Sequence, residues 1–160
     1  MLEIVGLDHL YLAVRDMSVS IAFYDPLMKA LGFKKGAEAI GGDPHVHYFN
    51  RAIQLSIRPA RSDEPHDPYR SGLHHICLRL PDEASVDEAY VVLQRLGIEA
   101  TVPAYYEYAT DYYAVFFSDP DEIRFELVAA RKRRREIIEK WDRLVDFEDP
   151  FRRLAEREAE

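Results

Sequence analysis

Gly6-Leu7-Asp8-His9-Leu10-Tyr11-Leu12 and Gly72-Leu73-His74-His75-Ile76-Cys77-Leu78 are two versions of one pattern, and the residues after each are alike as well. A short charged or proline-containing turn comes next, Arg15-Asp16 in the first half and Pro81-Asp82 in the second. Each turn leads into apolar residues spaced by three and four. They are Ile21, Ala22, Tyr24, Leu27 and Leu31 in the first half, and Val86, Ala89, Tyr90, Leu93 and Leu96 in the second. That spacing marks one buried face of a helix. Ser18 and Ser85 are placed to cap the two helices. Leu31-Gly32-Phe33 and Leu96-Gly97-Ile98 end them, since glycine can take the left-handed conformation that closes a helix.

Segments rich in Tyr, Phe, Val and Ile come after each helix and predict strands near 33–37, 45–50 and 52–58, then 98–102, 112–118 and 123–129. Gly41-Gly42-Asp43-Pro44 and Ser118-Asp119-Pro120-Asp121 are turn signals between them. Each half therefore reads β-α-β-β-β, within 4–58 and 72–129, with the proline-rich stretch 59–71 as linker. One such sheet with one helix leaves a face uncovered. Two of them can curl into an open mixed-sheet barrel around a central cleft, an α+β fold.

The repeat also predicts where chemistry gathers. His9 is equivalent to His75 on the first strands, and Gln54 to Glu126 on the last. Gln54 and Glu126 lie between apolar neighbours, and His9 and His75 each precede one, Leu10 and Ile76, so each side chain points to the face opposite theirs. Two imidazoles and a carboxylate converging there suit a borderline divalent metal and leave positions open for water and substrate. A bound cation would also account for a carboxylate placed inside. Gln54 can ligate through its amide oxygen or hydrogen-bond a bound water. His45, His47, His66 and His74 taken singly read as hydrogen-bonded packing residues.

Composition narrows the field. The chain has 160 residues, 48% of them hydrophobic, enough for a packed core. Its 21 Lys and Arg against 29 Asp and Glu leave a net charge of −8, which disfavours a nucleic-acid binder. A single cysteine, Cys77, implies no oxidising compartment, and it reads as a buried packing residue. No apolar run approaches the roughly 18–20 residues that cross a bilayer, so a cytoplasmic location with no membrane partner is expected.

Taken together, these runs resemble the vicinal oxygen chelate superfamily, which includes glyoxalase I, bleomycin-resistance proteins, fosfomycin-resistance transferases and extradiol dioxygenases. The resemblance covers about residues 4–129. It rests on Leu7 through Asp16, Ser20-Ile21-Ala22-Phe23-Tyr24, His74-His75-Ile76, Tyr113 through Asp121 and Ile123 through Val128. It implies that His9, Gln54, His75 and Glu126 occupy the four ligand positions around Fe, Mn, Ni, Co or Zn. It further implies a metal-stabilised oxyanion on a small oxygen-chelating substrate, with isomerase, lyase or ring-cleaving oxygenase chemistry. The alternative is a metal-free, bleomycin-resistance-like binder that sequesters a small molecule in the same cleft. Phe116, Glu122 and Tyr11 depart from residues usual in dioxygenase-like and fosfomycin-transferase-like chains.

Glu126 is the expected base, and Tyr113, in a run of tyrosines, a candidate proton donor. Strand parity puts Tyr11, Ser56, Arg58, Arg79 and Arg124 on the ligand faces. Tyr108 belongs to the tyrosine run beside the cleft. These six are the expected substrate contacts. Arg58 and Arg79, at strand ends, can equally extend into solvent. Residues 130–160 read as an amphipathic helix broken at Pro150, anchored by Trp141 and packed on this chain or on a partner, so a homodimer is admitted.

Overall fold

A computed structural model describes residues 2–159 of the chain. It contains two four-stranded mixed sheets, each built from a βαβββ run, and no closed barrel. The first run is β1 (His9–Val14), α1 (Met17–Ala30), β2 (Lys34–Ile40), β3 (Asp43–Phe49) and β4 (Gln54–Pro59). The second is β5 (Ile76–Leu80), α2 (Glu83–Arg95), β6 (Ala104–Tyr105), β7 (Tyr113–Ser118) and β8 (Arg124–Ala129). The strand orders match: β1-β4-β3-β2 and β5-β8-β7-β6. In each sheet the first strand runs parallel to the last, and the other pairs are antiparallel. The tail forms α3 (Lys132–Lys140), a 3₁₀ turn (Trp141–Arg143) and α4 (Pro150–Glu158). Among the described residues, no helix is long and apolar enough to cross a membrane.

Both helices end as the Leu-Gly signals require. Gly32 and Gly97 sit at φ 81° and 69°. Beyond them Phe33 N–H donates to the Met28 carbonyl and Ile98 N–H to the Leu93 carbonyl, each at 2.9 Å. These contacts close the last turn and satisfy carbonyls that would otherwise lack partners. The starts differ from expectation. The caps are Asp16 and Asp82, not Ser18 and Ser85. The serines sit in the first turn, and each donates both its N–H and its hydroxyl to the aspartate. A carboxylate accepts these bonds more strongly than a hydroxyl could.

Those bonds hold both carboxyls below their ordinary value of 3.8, chiefly through the Ser18 and Ser85 hydroxyls. The folded values are depressed, so the caps stabilise above the ordinary aspartate range. That contribution is lost as pH falls through the folded values. Acid unfolding followed by circular dichroism should therefore be shallower in Asp16→Asn/Asp82→Asn than in the parent chain. An unchanged acid limb would contradict the assignment of the caps.

The expected strand at 98–102 is not formed; only Ala100 bridges to Phe117. Thr101 supplies the reason. Its hydroxyl accepts the Phe116 N–H at 3.0 Å, a donor that a ladder partner would have used. Pro103 has no N–H to continue the ladder. In the tail, Leu154 is buried while Trp141 and Phe147 are exposed, so Leu154 replaces Trp141 as the anchor. The guanidinium of Arg133 lies over the Phe151 ring and joins α3 to α4.

One core runs through both halves, because the apolar faces of the two sheets and their helices share it. Tyr24 of α1 is central. Its ring meets Tyr48 of the first sheet and Phe125 of the second, both at 6.0 Å. Its hydroxyl donates to Asp119, in the β7–β8 turn, at 2.6 Å. Next to it, Arg15 Nε donates to Asp121 at 2.6 Å. The same turn holds Glu122 at φ 68°, a left-handed conformation rare for a residue with a Cβ. With their apolar faces committed to this core, both sheets turn their other, polar faces away from it.

Candidate functional site

Period-two alternation decides what each polar face carries. On the first sheet the register aligns His9 with Gln54, Tyr11 with Ser56, and His47 with Ser56 from the other side. On the second it aligns Cys77 and Phe116 with Glu126. The four ligand candidates thus form two pairs, His9 with Gln54 and His75 with Glu126, one pair on each sheet. Among the described residues, no three His, Cys, Asp or Glu side chains of one chain converge as a cation-binding group.

The second sheet bears the deeper half. Glu126 is 2% exposed, and its Oε1 has no hydrogen-bond partner. His75 Nε2 lies 3.5 Å from its other oxygen. His75 Nδ1 is 2.8 Å from His74 Nδ1, so the nitrogen turned to Glu126 is Nε2. His9 is held in the same way, with Nδ1 2.8 Å from the Asp8 carboxylate. In both, the preceding residue occupies Nδ1 and leaves Nε2 as the nitrogen for a ligand, the arrangement that fixes the ring of a ligating histidine. A buried carboxylate with an orphaned oxygen beside such an imidazole fits a divalent cation.

A cleft of about 1340 Å³ opens over this half, with Tyr106, Tyr108, Tyr112, Phe116 and Arg124 among its walls. Tyr106 stacks parallel to Tyr108, and its ring meets the Phe116 ring edge-on at 4.9 Å. Arg124 lies over the Tyr69 ring, 5.0 Å from its centre. Tyr113 is not in this cleft. Its hydroxyl donates to Asp87 of α2 at 2.7 Å, on the face opposite Glu126. The phenol near the carboxylate is Tyr112, whose ionisation is opposed first by burial and then by the neighbouring Glu126 carboxylate. Parity contained that signal, since residue 112 shares its face with Phe116 and residue 113 does not.

Cys77 is exposed rather than a packing residue. Desolvation at its sulfur, then the Glu126 charge, push its thiol up to about 12, so it stays neutral. Arg79, also exposed, follows Cys77 on the same face. Arg131, outside the expected contacts, lies 4.9 Å from the centre of the Tyr112 ring. The next N–H, of Lys132, donates to Asp111 at 2.5 Å and ties the tail to the cleft wall.

On the first sheet, Arg58 is committed to Asp43 at 2.7 Å. Tyr11 turns its ring edge to His9, His45 and His47. Ser56 is fully buried and hydrogen-bonded to His47 and Gln54. His45 hydrogen-bonds the Asp43 carbonyl, as expected of a packing histidine.

A model of the glyoxalase/bleomycin resistance protein/dioxygenase superfamily matches residues 6–127. The chain belongs to this superfamily. The uncharacterized protein YqjT of Bacillus subtilis is 29% identical over 126 residues, covering 76% of this chain and 96% of that one. The fold of this superfamily member is similar to the glyoxylase/bleomycin resistance protein/dioxygenase domain from Frankia sp. EAN1pec. There the TM-score is 0.68 at 20% identity, over 81% of this chain and 100% of the other. The fosfomycin resistance protein FosX from Listeria monocytogenes has a TM-score of 0.62 at 22% identity, over 83% of this chain and 99% of that one. The superfamily match stops before the tail that carries Arg131.

Proposed function

We propose that this superfamily member is a metal-dependent enzyme that acts on a small substrate bound through neighbouring oxygens. His9, His75 and Glu126 hold one divalent ion, with Gln54 at the fourth corner. The observation that carries the reading is Glu126, buried with an unpartnered oxygen and with His75 Nε2 3.5 Å from its other oxygen. The FosX fold, described in complex with Mn(II) and a sulfate ion, supports it from outside the chain. When bound, the ion would act as a Lewis acid toward the substrate oxygens and stabilise an oxyanion. Glu126 then serves as ligand or proton acceptor, and Tyr112 holds a proton beside it. Tyr106, Tyr108 and Phe116 shield the reacting centre from water. Isomerase or lyase chemistry suits this placement of acid and base; retained iron would point instead to ring-cleaving oxygenation.

The two halves belong to different polar faces, and a second copy joins them. Strands β1 and β5 are each an outer strand with one neighbour. An outer strand presents unpaired N–H and C=O groups that another chain can use. Joining β1 of one copy to β5 of another would bring His9 of the first toward His75 and Glu126 of the second, with two-fold symmetry making two such sites.

Metal-stripped protein titrated with Mn(II), Fe(II), Co(II), Ni(II) and Zn(II) is expected to take up one ion per chain, and His75→Ala to lose it. Wild-type protein that retains none of these ions would overturn the enzyme reading and favour metal-free sequestration of a small molecule.

A further inference from the structure

A chain of hydrogen bonds crosses three strands of the first sheet's polar face. Gln54 Nε2 lies 3.0 Å from Ser56 Oγ, and Ser56 Oγ lies 2.8 Å from His47 Nδ1. His47 Nε2 then lies 3.1 Å from Glu38 Oε1. Ser56 is fully buried and His47 nearly so, so neither can exchange these partners for water.

The protons can be assigned in sequence. The Glu38 carboxylate only accepts, so His47 carries its proton on Nε2 and donates it there. His47 Nδ1 is then an acceptor and takes the single proton of the Ser56 hydroxyl. With that proton used, Ser56 Oγ accepts from Gln54, whose NH₂ must face inward. The same NH₂ lies 3.3 Å from His47 Nδ1, a contact that also requires Nδ1 to be unprotonated. The reverse order would set the bare lone pair of Nε2 against the Glu38 carboxylate.

We infer that Ser56, His47 and Glu38 are positioning residues that lock the Gln54 amide with its carbonyl oxygen outward, beside His9, as an oxygen donor for the metal centre. This rests on the proposed metal centre for its target, though not for the orientation itself. It gives the amide at this corner a reason. A carboxylate at position 54 would face two acceptors, Ser56 Oγ and His47 Nδ1, and would force a second proton onto His47. Glutamine presents an oxygen outward with no added charge.

Long-range ¹H–¹⁵N spectra of histidine-labelled, metal-free protein at mildly alkaline pH test the orientation, with His47 assigned through His47→Gln. The expected result is the Nε2–H tautomer, with mixed tautomers appearing in Glu38→Gln, a change at an exposed position. Cobalt(II) titration tests the consequence: Ser56→Ala should bind roughly 10-fold more weakly than wild type, as loss of groups that orient ligands generally does. An Nδ1–H tautomer, or unchanged cobalt affinity in folded Ser56→Ala, overturns the inference. If wild type binds no cobalt, the metal reading fails, and the tautomer alone decides whether the relay stands.

Discussion

Glu126→Leu is expected to abolish metal retention while raising the melting temperature of the metal-free protein. The two effects share one cause. Glu126 is 2% exposed, and its Oε1 lacks a partner among the described residues. An unsatisfied buried polar oxygen costs about 1–3 kcal/mol, and more where it carries charge. Leucine at this position removes the penalty and fits between Cys77 and Phe116, its register neighbours on β5 and β7. Metal-free protein should therefore gain about 1–3 kcal/mol in a urea melt. Residues that bind or react are often held at such a cost to stability. A metal-free Glu126→Leu less stable than wild type would show that the carboxylate is a structural group. Retained metal in that variant would exclude it as a ligand.

Asp119→Ala is expected to be the most damaging single change in the fold. This carboxylate accepts the Asp121 N–H at 2.9 Å, the Ile123 N–H at 2.8 Å and the Tyr24 hydroxyl. It shapes the β7–β8 turn and ties α1 of the first half to the second. Burial raises its carboxyl above the ordinary value of 3.8, so the position tolerates a carboxylate only because these donors surround it. Alanine would leave three donors without a partner in the interior. The expected loss is about 3–5 kcal/mol, from a penalty of about 1–3 kcal/mol for each buried donor with partial rehydration. Asp119→Asn keeps one acceptor oxygen and should lose less. Equal stability of the alanine variant and the parent would mean that Asp119 takes no part in holding the two halves together.

The repeat makes the architecture legible, because helix face, helix stop and strand start each recur in the second half. The features that stay hidden depend on particular side chains rather than on pattern. Asp16 outcompetes Ser18 at the helix start because a carboxylate accepts several donors at once, which spacing does not reveal. The strand expected at 98–102 has suitable residues, yet Thr101 takes the ladder's donor with its hydroxyl. The tyrosine run suggests Tyr113 for the cleft, whereas its parity with Val115 and Phe117 puts it on the helix side. His47 reads as an ordinary packing histidine, since its link to Gln54 passes through Ser56 and becomes visible only once β3 and β4 are aligned.

The pairing of His9 with His75 is a geometric expectation from the repeat, and single-chain geometry leaves them on separate sheets. In the proposed assembly one metal centre draws His9 from one copy and His75 with Glu126 from another. Cobalt(II) binding by an equal, co-refolded mixture of His9→Ala and His75→Ala tests it most directly. Each variant alone should bind no cobalt. Random pairing makes half of the dimers mixed, each with one intact site of two, so the mixture should recover about one quarter of the wild-type capacity. No recovery in a mixture shown to contain mixed dimers would contradict the shared centre.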